Sequence, residues 1–412
     1  MTNRVTTIVT TIACFVTAGF SSSALAQRDP RDVELPAGDA KPLIEGVCVG
    51  CHQLSFITNS VGNSREDWST LISTMIALPD QQLDTITTYL AANFPKKADS
   101  YPVVIDGPHN VSITEWMLPT RGSRPHDPIE AHDGSLWWTG QFANRLGRID
   151  RETGELKEFP LDVPNSNPHG LDEDAEGNIW FTAVAERYVG KLDPSTGEVT
   201  EYYVPEGTRG PHTPIFAQNG TLWFTMQSGH VGRVDPATGT VTAEKTPTDG
   251  TYPYGIQVNS KGEPWYVDFR GPRIGQVDPV TGKITEHELP NADSRPRRIA
   301  LTPDDAVWYT DYPRGRLGRF DPKTGDVKEW MSPGGEKSRP YGIAAVGNVI
   351  WYVEAYARPN ILVRFDTETE AFQSWVIPSG GGVVRHMVAT PDGDLVLACS
   401  AVNHVAYVDV ES

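Results

Sequence analysis

The chain has 412 residues and a formal net charge of −18, from 53 acidic and 35 basic side chains. The length allows two or three domains. The charge argues against nucleic acid or an anionic membrane surface as a partner.

The first predicted element is an export leader over residues 1–26. Arg4 is its only charge, and an apolar stretch runs from about Ile8 to Phe20. Ser21, Ser22 and Ser23 then lead into Ala24-Leu25-Ala26, a small-x-small cleavage site. The apolar run is shorter than the roughly 20 residues of a spanning helix, so a membrane anchor is disfavoured. Cys14 after Thr11-Ile12-Ala13 is a poor lipoprotein signal. Loss of the leader removes Arg4 and takes the net charge from −18 to −19. The expected product is periplasmic, with no transmembrane segment. It keeps Cys48, Cys51 and Cys399, an odd set that does not make a disulfide framework.

The next unit spans residues 38–96. Cys48-Val49-Gly50-Cys51-His52 reads C-x-x-C-H, the attachment motif for c-type haem. Two thiols on one turn can add across the two porphyrin vinyl groups, and the adjacent imidazole then reaches the iron. A thioredoxin-like pair would want a βαβ context, and a zinc site would want further ligands nearby. A helix is predicted from Lys41 to His52. Ser64-Arg65-Glu66-Asp67 resembles a capping box. It opens a helix whose stripe is Trp68, Leu71, Ile72 and Met75, at i, i+3, i+4 and i+7. Another helix follows Pro79-Asp80, with Leu83, Ile86, Leu90 and Phe94 inward. A unit this small gains from a covalently bound apolar centre. Met75 is its only methionine and the candidate second axial ligand, opposite His52. Met as a core gap-filler is the alternative. On these motifs the unit resembles the small haem domains of class I cytochromes c. The resemblance implies one covalent haem c per chain and an electron-transfer partner, soluble or membrane-bound.

Residues 97–111 read as a polar linker. From 112 to 412 the sequence repeats. Pro125-His126, Pro168-His169, Pro211-His212, Pro253-Tyr254, Pro296-Arg297 and Pro340-Tyr341 are spaced by 43, 43, 42, 43 and 44 residues. Val384-Arg385 is a seventh, weaker copy. Trp137, Trp180, Trp223, Trp265, Trp308 and Trp351 follow the first six pairs. Each copy holds about four short alternating strands with Gly and Asp-Pro turns. A period in the forties with four strands is a propeller blade, and there are seven. The last copy stops after its third strand, His404 to Val410. An orphan strand, Ser112 to Pro119, carries the fourth-strand pattern and is predicted to close the ring. The fold class is thus an all-β seven-bladed propeller behind a small all-α haem domain.

Pro-His-Gly-Leu (168–171), Leu-Trp-Phe-Thr (222–225), Arg-Leu-Gly-Arg (316–319) and Lys-Ile-Thr-Glu (283–286) give the repeat its family likeness. It resembles the virginiamycin B lyase (streptogramin lyase) family of seven-bladed propellers. That resemblance implies a magnesium ion and an essential histidine, which open a cyclic depsipeptide ester by elimination without water. The family's two histidine pairs fall best on Arg124-Pro125-His126 and Asn167-Pro168-His169. Its two carboxylates fall on Asn167 and near Val184, so they do not carry over.

The residue after each repeat proline is predicted to face one mouth of the propeller. Around the ring it is His126, His169, His212, Tyr254, Arg297, Tyr341 and Arg385. Three neutral imidazoles suit iron, copper or zinc, so His126, His169 and His212 are candidate ligands of a second metal. Alternatively, they hydrogen-bond neighbouring blades. Arg297 and Arg385 are candidates to orient an anionic or oxygen-rich small molecule. Asp268, Asp311 and Glu354, three residues past their tryptophans, are expected to pair with arginines of neighbouring blades. The leading functional expectation is a periplasmic oxidoreductase whose haem carries electrons for a substrate-binding propeller. The alternatives are a lyase-like C–O lyase with an accessory haem domain, and a non-catalytic propeller that docks a cytochrome to its partner.

Overall fold

The computed structural model describes residues 34–50, 54–58, 63–94 and 101–410. The leader, Cys51 and His52 lie outside these residues. The N-terminal unit contains α1 (Lys41–Val47), α2 (Leu54–Thr58), α3 (Arg65–Met75) and α4 (Asp80–Asn93). The helix expected to reach His52 ends at Val47 and continues as a 3-10 turn, Cys48–Gly50. Gly46, Val47, Val49 and Gly50 are poor helix formers, so a regular helix is not favoured there. The capping box is present: Asp67 N–H donates to the Ser64 hydroxyl, and Ser64 N–H donates to the Asp67 carboxylate. The predicted stripes face inward. Ile44, Trp68, Ile72, Ile86 and Leu90 form the buried core, and Cys48, Leu71 and Met75 pack partly buried against it.

The larger unit is seven four-stranded antiparallel sheets. Six are continuous in sequence, covering 125–160, 168–203, 211–245, 253–288, 296–331 and 340–376; these are blades 1 to 6 in chain order. Blade 7 has three C-terminal strands, and Val111–Met117 pairs with His404–Val410 as its outer strand. The predicted closure therefore holds. It removes an open sheet edge by joining the two ends of the repeat. The linker is not free of the propeller. Ile105 bridges to Ser374 on the outer strand of blade 6, and the Gln373 amide donates to the His109 carbonyl at 2.5 Å.

The repeat residues have physical reasons. The six repeat tryptophans are exposed by 2% or less. Truncating a buried tryptophan costs about 3–5 kcal/mol. In blades 1 to 5 the aromatic residue after each lies across a glycine on the next strand. A Cβ at Gly147 would fall 1.9 Å from the Trp138 ring, and one at Gly232 would fall 2.2 Å from Phe224. Only glycine permits that approach. In blades 1, 2, 3 and 5 the residue that follows is a threonine, which stitches blades together. Thr139, Thr182, Thr225 and Thr310 donate to the carbonyls of His169, His212, Tyr254 and Tyr341 in the next blade, at 2.5–2.9 Å. The same hydroxyls accept the backbone N–H two residues past their own blade's proline. Each inner strand in blades 1 to 7 also shifts register just after its first residue, as between Pro125 and Pro128. A bulge re-aims a side chain, here the residue after the proline.

Candidate functional site

The seven predicted mouth residues occupy the same place at the start of seven inner strands. His126, His169, His212, Tyr254, Arg297 and Arg385 line a cavity of about 520 Å³. Tyr341 is fully buried beside them, and its hydroxyl lies 2.5 Å from that of Tyr254. Their anchors are the bulge and the threonine stitch, so main-chain geometry sets the ring.

The histidines do not converge on one point. Their rings follow one another along the arc, tilted by 41° and 39°, with centroids 3.6 Å apart for His126–His169 and 3.7 Å for His169–His212. Among the described residues, the groups able to bring metal-ligating atoms within 4.8 Å of one another are His126, Asp127 and His169. His212, the third imidazole of the expected set, lies outside this group. His212 directs Nδ1 at the Thr213 hydroxyl, 2.9 Å away.

A second layer lies under the ring. At the position after each mouth residue, blades 2, 4 and 6 carry Gly170, Gly255 and Gly342, whereas blades 1, 3, 5 and 7 carry Asp127, Thr213, Arg298 and His386. These four meet. The Arg298 guanidinium donates to Asp127 Oδ1 at 2.7 Å and to Thr213 Oγ1 at 3.1 Å. His386 Nδ1 lies 3.3 Å from Asp127 Oδ2. The glycines make room: a Cβ at Gly170 would fall 2.2 Å from Pro214. Sequence reasoning missed Asp127 and Arg298. The signal was present, since both break the Pro-x-Gly pattern of alternate blades.

This plug sets the electrostatics. Burial pushes the Asp127 carboxyl up, but Arg298, then His386, and the hydrogen bond from His126 outweigh it and hold the group well below the usual range. Burial lowers His126 to about 3, against the upward pull of Asp127. Burial also lowers His169 and His212, reinforced by neighbouring histidines at His169 and by Arg298 at His212. All three imidazoles are neutral near pH 7. His126 Nδ1 lies 2.8 Å from Asp127 Oδ1. A carboxylate there places the proton on Nδ1 and leaves Nε2 as a base.

The opposite side is aromatic and cationic. The Arg297 guanidinium sits 3.8 Å from the ring centre of Tyr341, 4.3 Å from Tyr312 and 4.4 Å from Phe269. Burial pushes the Tyr254 hydroxyl up, but Arg297 and Arg298 outweigh it, and the net direction is down. The three acids of these blades are structural, though not as expected. Asp268 and Asp311 meet Arg273 and Arg314 of their own blades, and Glu354 accepts from the Ser332 hydroxyl and Gly334 N–H. Cys399 is fully buried, and burial raises its thiol.

In the helical unit, Cys48 and Met75 border one core, and Trp68 Nε1 is buried without an acceptor among the described residues. The unit docks on the mouth face. Gly122, on the segment leading to His126, donates its N–H to the Thr74 carbonyl at 2.9 Å. α3 also packs against the turn Ser400–Val402.

The profile of the virginiamycin B lyase family matches residues 107–334 and 280–412. The chain belongs to the virginiamycin B lyase family. A streptogramin B lyase structure is similar at 27% identity and a TM-score of 0.67, covering 73% of this chain and 98% of that one. Virginiamycin B lyase from Staphylococcus aureus is similar at 24% identity and a TM-score of 0.66, covering 73% and 99%. Hydrazine synthase from Kuenenia stuttgartiensis shares the fold at 14% identity and a TM-score of 0.59, covering 70% and 95%. No curated protein sequence matches the chain. Within the family frame, Asn167 and Val184 both line the cavity at the places expected for carboxylates. Among the described residues lining it there is no aspartate or glutamate. Magnesium requires oxygen ligands, commonly carboxylates, so this donor set does not fit it. Asp127 is already neutralised by Arg298. No helix among the described residues is long and apolar enough to cross a membrane.

Proposed function

We propose that the mouth is the catalytic centre of a lyase-type enzyme that breaks a carbon–oxygen bond by elimination. The observation that carries this reading is the buried Asp127–His126 pair behind the cavity, in a chain of the lyase family. His126, neutral and oriented through Nδ1, takes a proton from carbon at Nε2. The C–H electron pair forms a C=C bond, the C–O bond breaks, and an ester oxygen leaves with its electrons as a carboxylate. Asp127 stabilises the imidazolium that forms. A positioned base of this kind contributes about 10²- to 10⁴-fold to rate. The test is incubation of the full chain with a cyclic depsipeptide and with a β-acyloxy carboxylate in ¹⁸O-water. Expected is an unsaturated product without ¹⁸O from at least one of them, lost in His126→Gln. Cleavage with ¹⁸O uptake, or two intact substrates, would overturn the reading.

A second reading, haem-linked oxidation, is favoured by one specific observation: α3 docks through Thr74 at the rim of the mouth. Cys48, Cys51, His52 and Met75 would hold a c-type haem, and the buried Trp68 N–H fits an acceptor such as a porphyrin propionate. The group would supply one-electron transfer. The leader over residues 1–26 supports an exported, periplasmic protein. A pyridine haemochrome spectrum of thioether type, lost in Cys48→Ala, is the expected result. A changed visible spectrum in Met75→Ala is expected if its sulfur is the second axial ligand. A colourless full-length protein from a haem-attaching host would remove this reading.

A further inference from the structure

We propose that the mouth is a metal-independent anion site and that its ligand is a small molecule bearing a carboxylate or phosphate group. This rests on the lyase reading only for the identity of the site, and it names the substrate class that reading leaves open. Arg124, Arg270, Arg297 and Arg385 all line the cavity, and no described acid does. That is four guanidinium groups in about 520 Å³ of space, in a molecule whose net charge is −18. The surface excess of acid makes this grouping a local feature, and field lines in a cleft concentrate its effect.

Buried cations are costly unless paired. Arg298 has Asp127, whereas no described carboxylate lines the cavity beside Arg297 or Arg385. Among the described residues, Arg297 and Arg385 each keep a buried Nε without a hydrogen-bond partner. Arg297 cannot swing away, because four aromatic rings enclose it: Phe269, Tyr312, Tyr341 and Tyr254. The cations also repel one another. Burial, then Arg385, lowers Arg124 to about 9, with Tyr341 and Tyr254 opposing. An oxyanion supplies what the cavity lacks, since a guanidinium fork matches carboxylate and phosphate geometry. The cavity volume suits a small molecule. The same charges would repel a divalent cation, in keeping with Asn167 and Val184 standing where the family pattern wants carboxylates.

The experiment is titration calorimetry of the full chain in EDTA, with citrate and with inorganic phosphate as probes. Saturable binding with Kd of about 1 mM or tighter for at least one probe is expected. Whichever probe binds more tightly identifies the class as carboxylate or phosphate. Arg385→Gln and Arg297→Gln are expected to weaken binding at least about tenfold, and Arg385→Lys by less. Near-ultraviolet circular dichroism checks that each variant is folded. If Arg297→Gln unfolds, Arg385→Gln alone decides. Failure of both probes to bind the wild type, binding only with added magnesium, or unchanged affinity in folded Arg385→Gln would overturn the proposal. His126→Gln separates the two ideas: it is expected to retain anion binding while losing turnover. Anion binding without any elimination would sink the lyase reading alone, and elimination without anion binding would sink this one.

Discussion

Blades 1 to 3 and blades 4 to 7 use one backbone for opposite ends. The first three present adjacent neutral imidazoles, and their second residue past the tryptophan-aromatic pair is Gly140, Ala183 or Met226. Blades 4 to 6 place Asp268, Asp311 and Glu354 there, holding the loops that precede their own mouth residues. Blades 4 to 7 also supply the tyrosines and arginines of the ring. The strands and bulges are equivalent, so the scaffold does not create the difference. The residue after the repeat proline, its successor and the position three past the tryptophan divide a basic arc from a cationic arc. Asp127 and Arg298 tie the two arcs together across the axis.

The largest expected effect comes from breaking that tie. Arg298→Met leaves Asp127 buried without its main counter-charge, and truncating one member of a buried pair costs about 3–5 kcal/mol. Urea unfolding would measure it. A loss below about 1 kcal/mol would show that the arcs are not coupled through this pair. The double change Asp127→Asn with Arg298→Met is expected to recover part of the loss.

His126→Gln tests the basic arc alone. Turnover is expected to fall about 10²- to 10⁴-fold, with a much smaller change in stability. If His126, His169 and His212 act as one site, the losses of their Gln variants will not add. Additive stability losses without loss of turnover would assign the histidines to blade packing.

The third prediction concerns pH. His126, His169, His212 and His386 all have folded pKa values below the ordinary 6.5. The unfolded chain therefore binds more protons below about pH 6.5, and stability falls as pH falls. Each imidazole within its window contributes about 1.4 kcal/mol per pH unit. Asp172, raised to about 6 by burial, works in the opposite direction between about pH 4 and 6. Urea midpoints from pH 7 to 5 should show the net loss, and His212→Gln should flatten it. The smallest effect is expected on the other side. Asp268→Asn weakens the hold on Tyr252 and Arg270 N–H groups by about 1 kcal/mol and leaves turnover within about twofold.

Much of this ring was legible because a propeller writes each blade in sequence. The proline spacing gave six copies and Val384-Arg385 the seventh, and the tryptophans and glycines marked cross-strand contacts a few residues apart. Position after the proline was enough to name the mouth residues. The partners of Asp268 and Asp311 were misjudged because the repeat does not show whether an arginine reaches within its blade or across to the next. That Asp127 rather than His212 joins His126 and His169 was not legible, because three imidazoles at equivalent positions need not aim at one point. In the closed ring they lie side by side, tilted against one another.

The sequence by itself determined the blade, its count and the closing strand, since those follow from local alternation, turn chemistry and a fixed period. It also determined which side chains stand at the mouth. Only the tertiary structure decided which of them meet. Asp127 and Arg298 are 171 residues apart and join at 2.7 Å. Nothing local pairs them. Closing seven sheets on a common axis brings their inner strands together, and there burial forces an acid and a base to find each other.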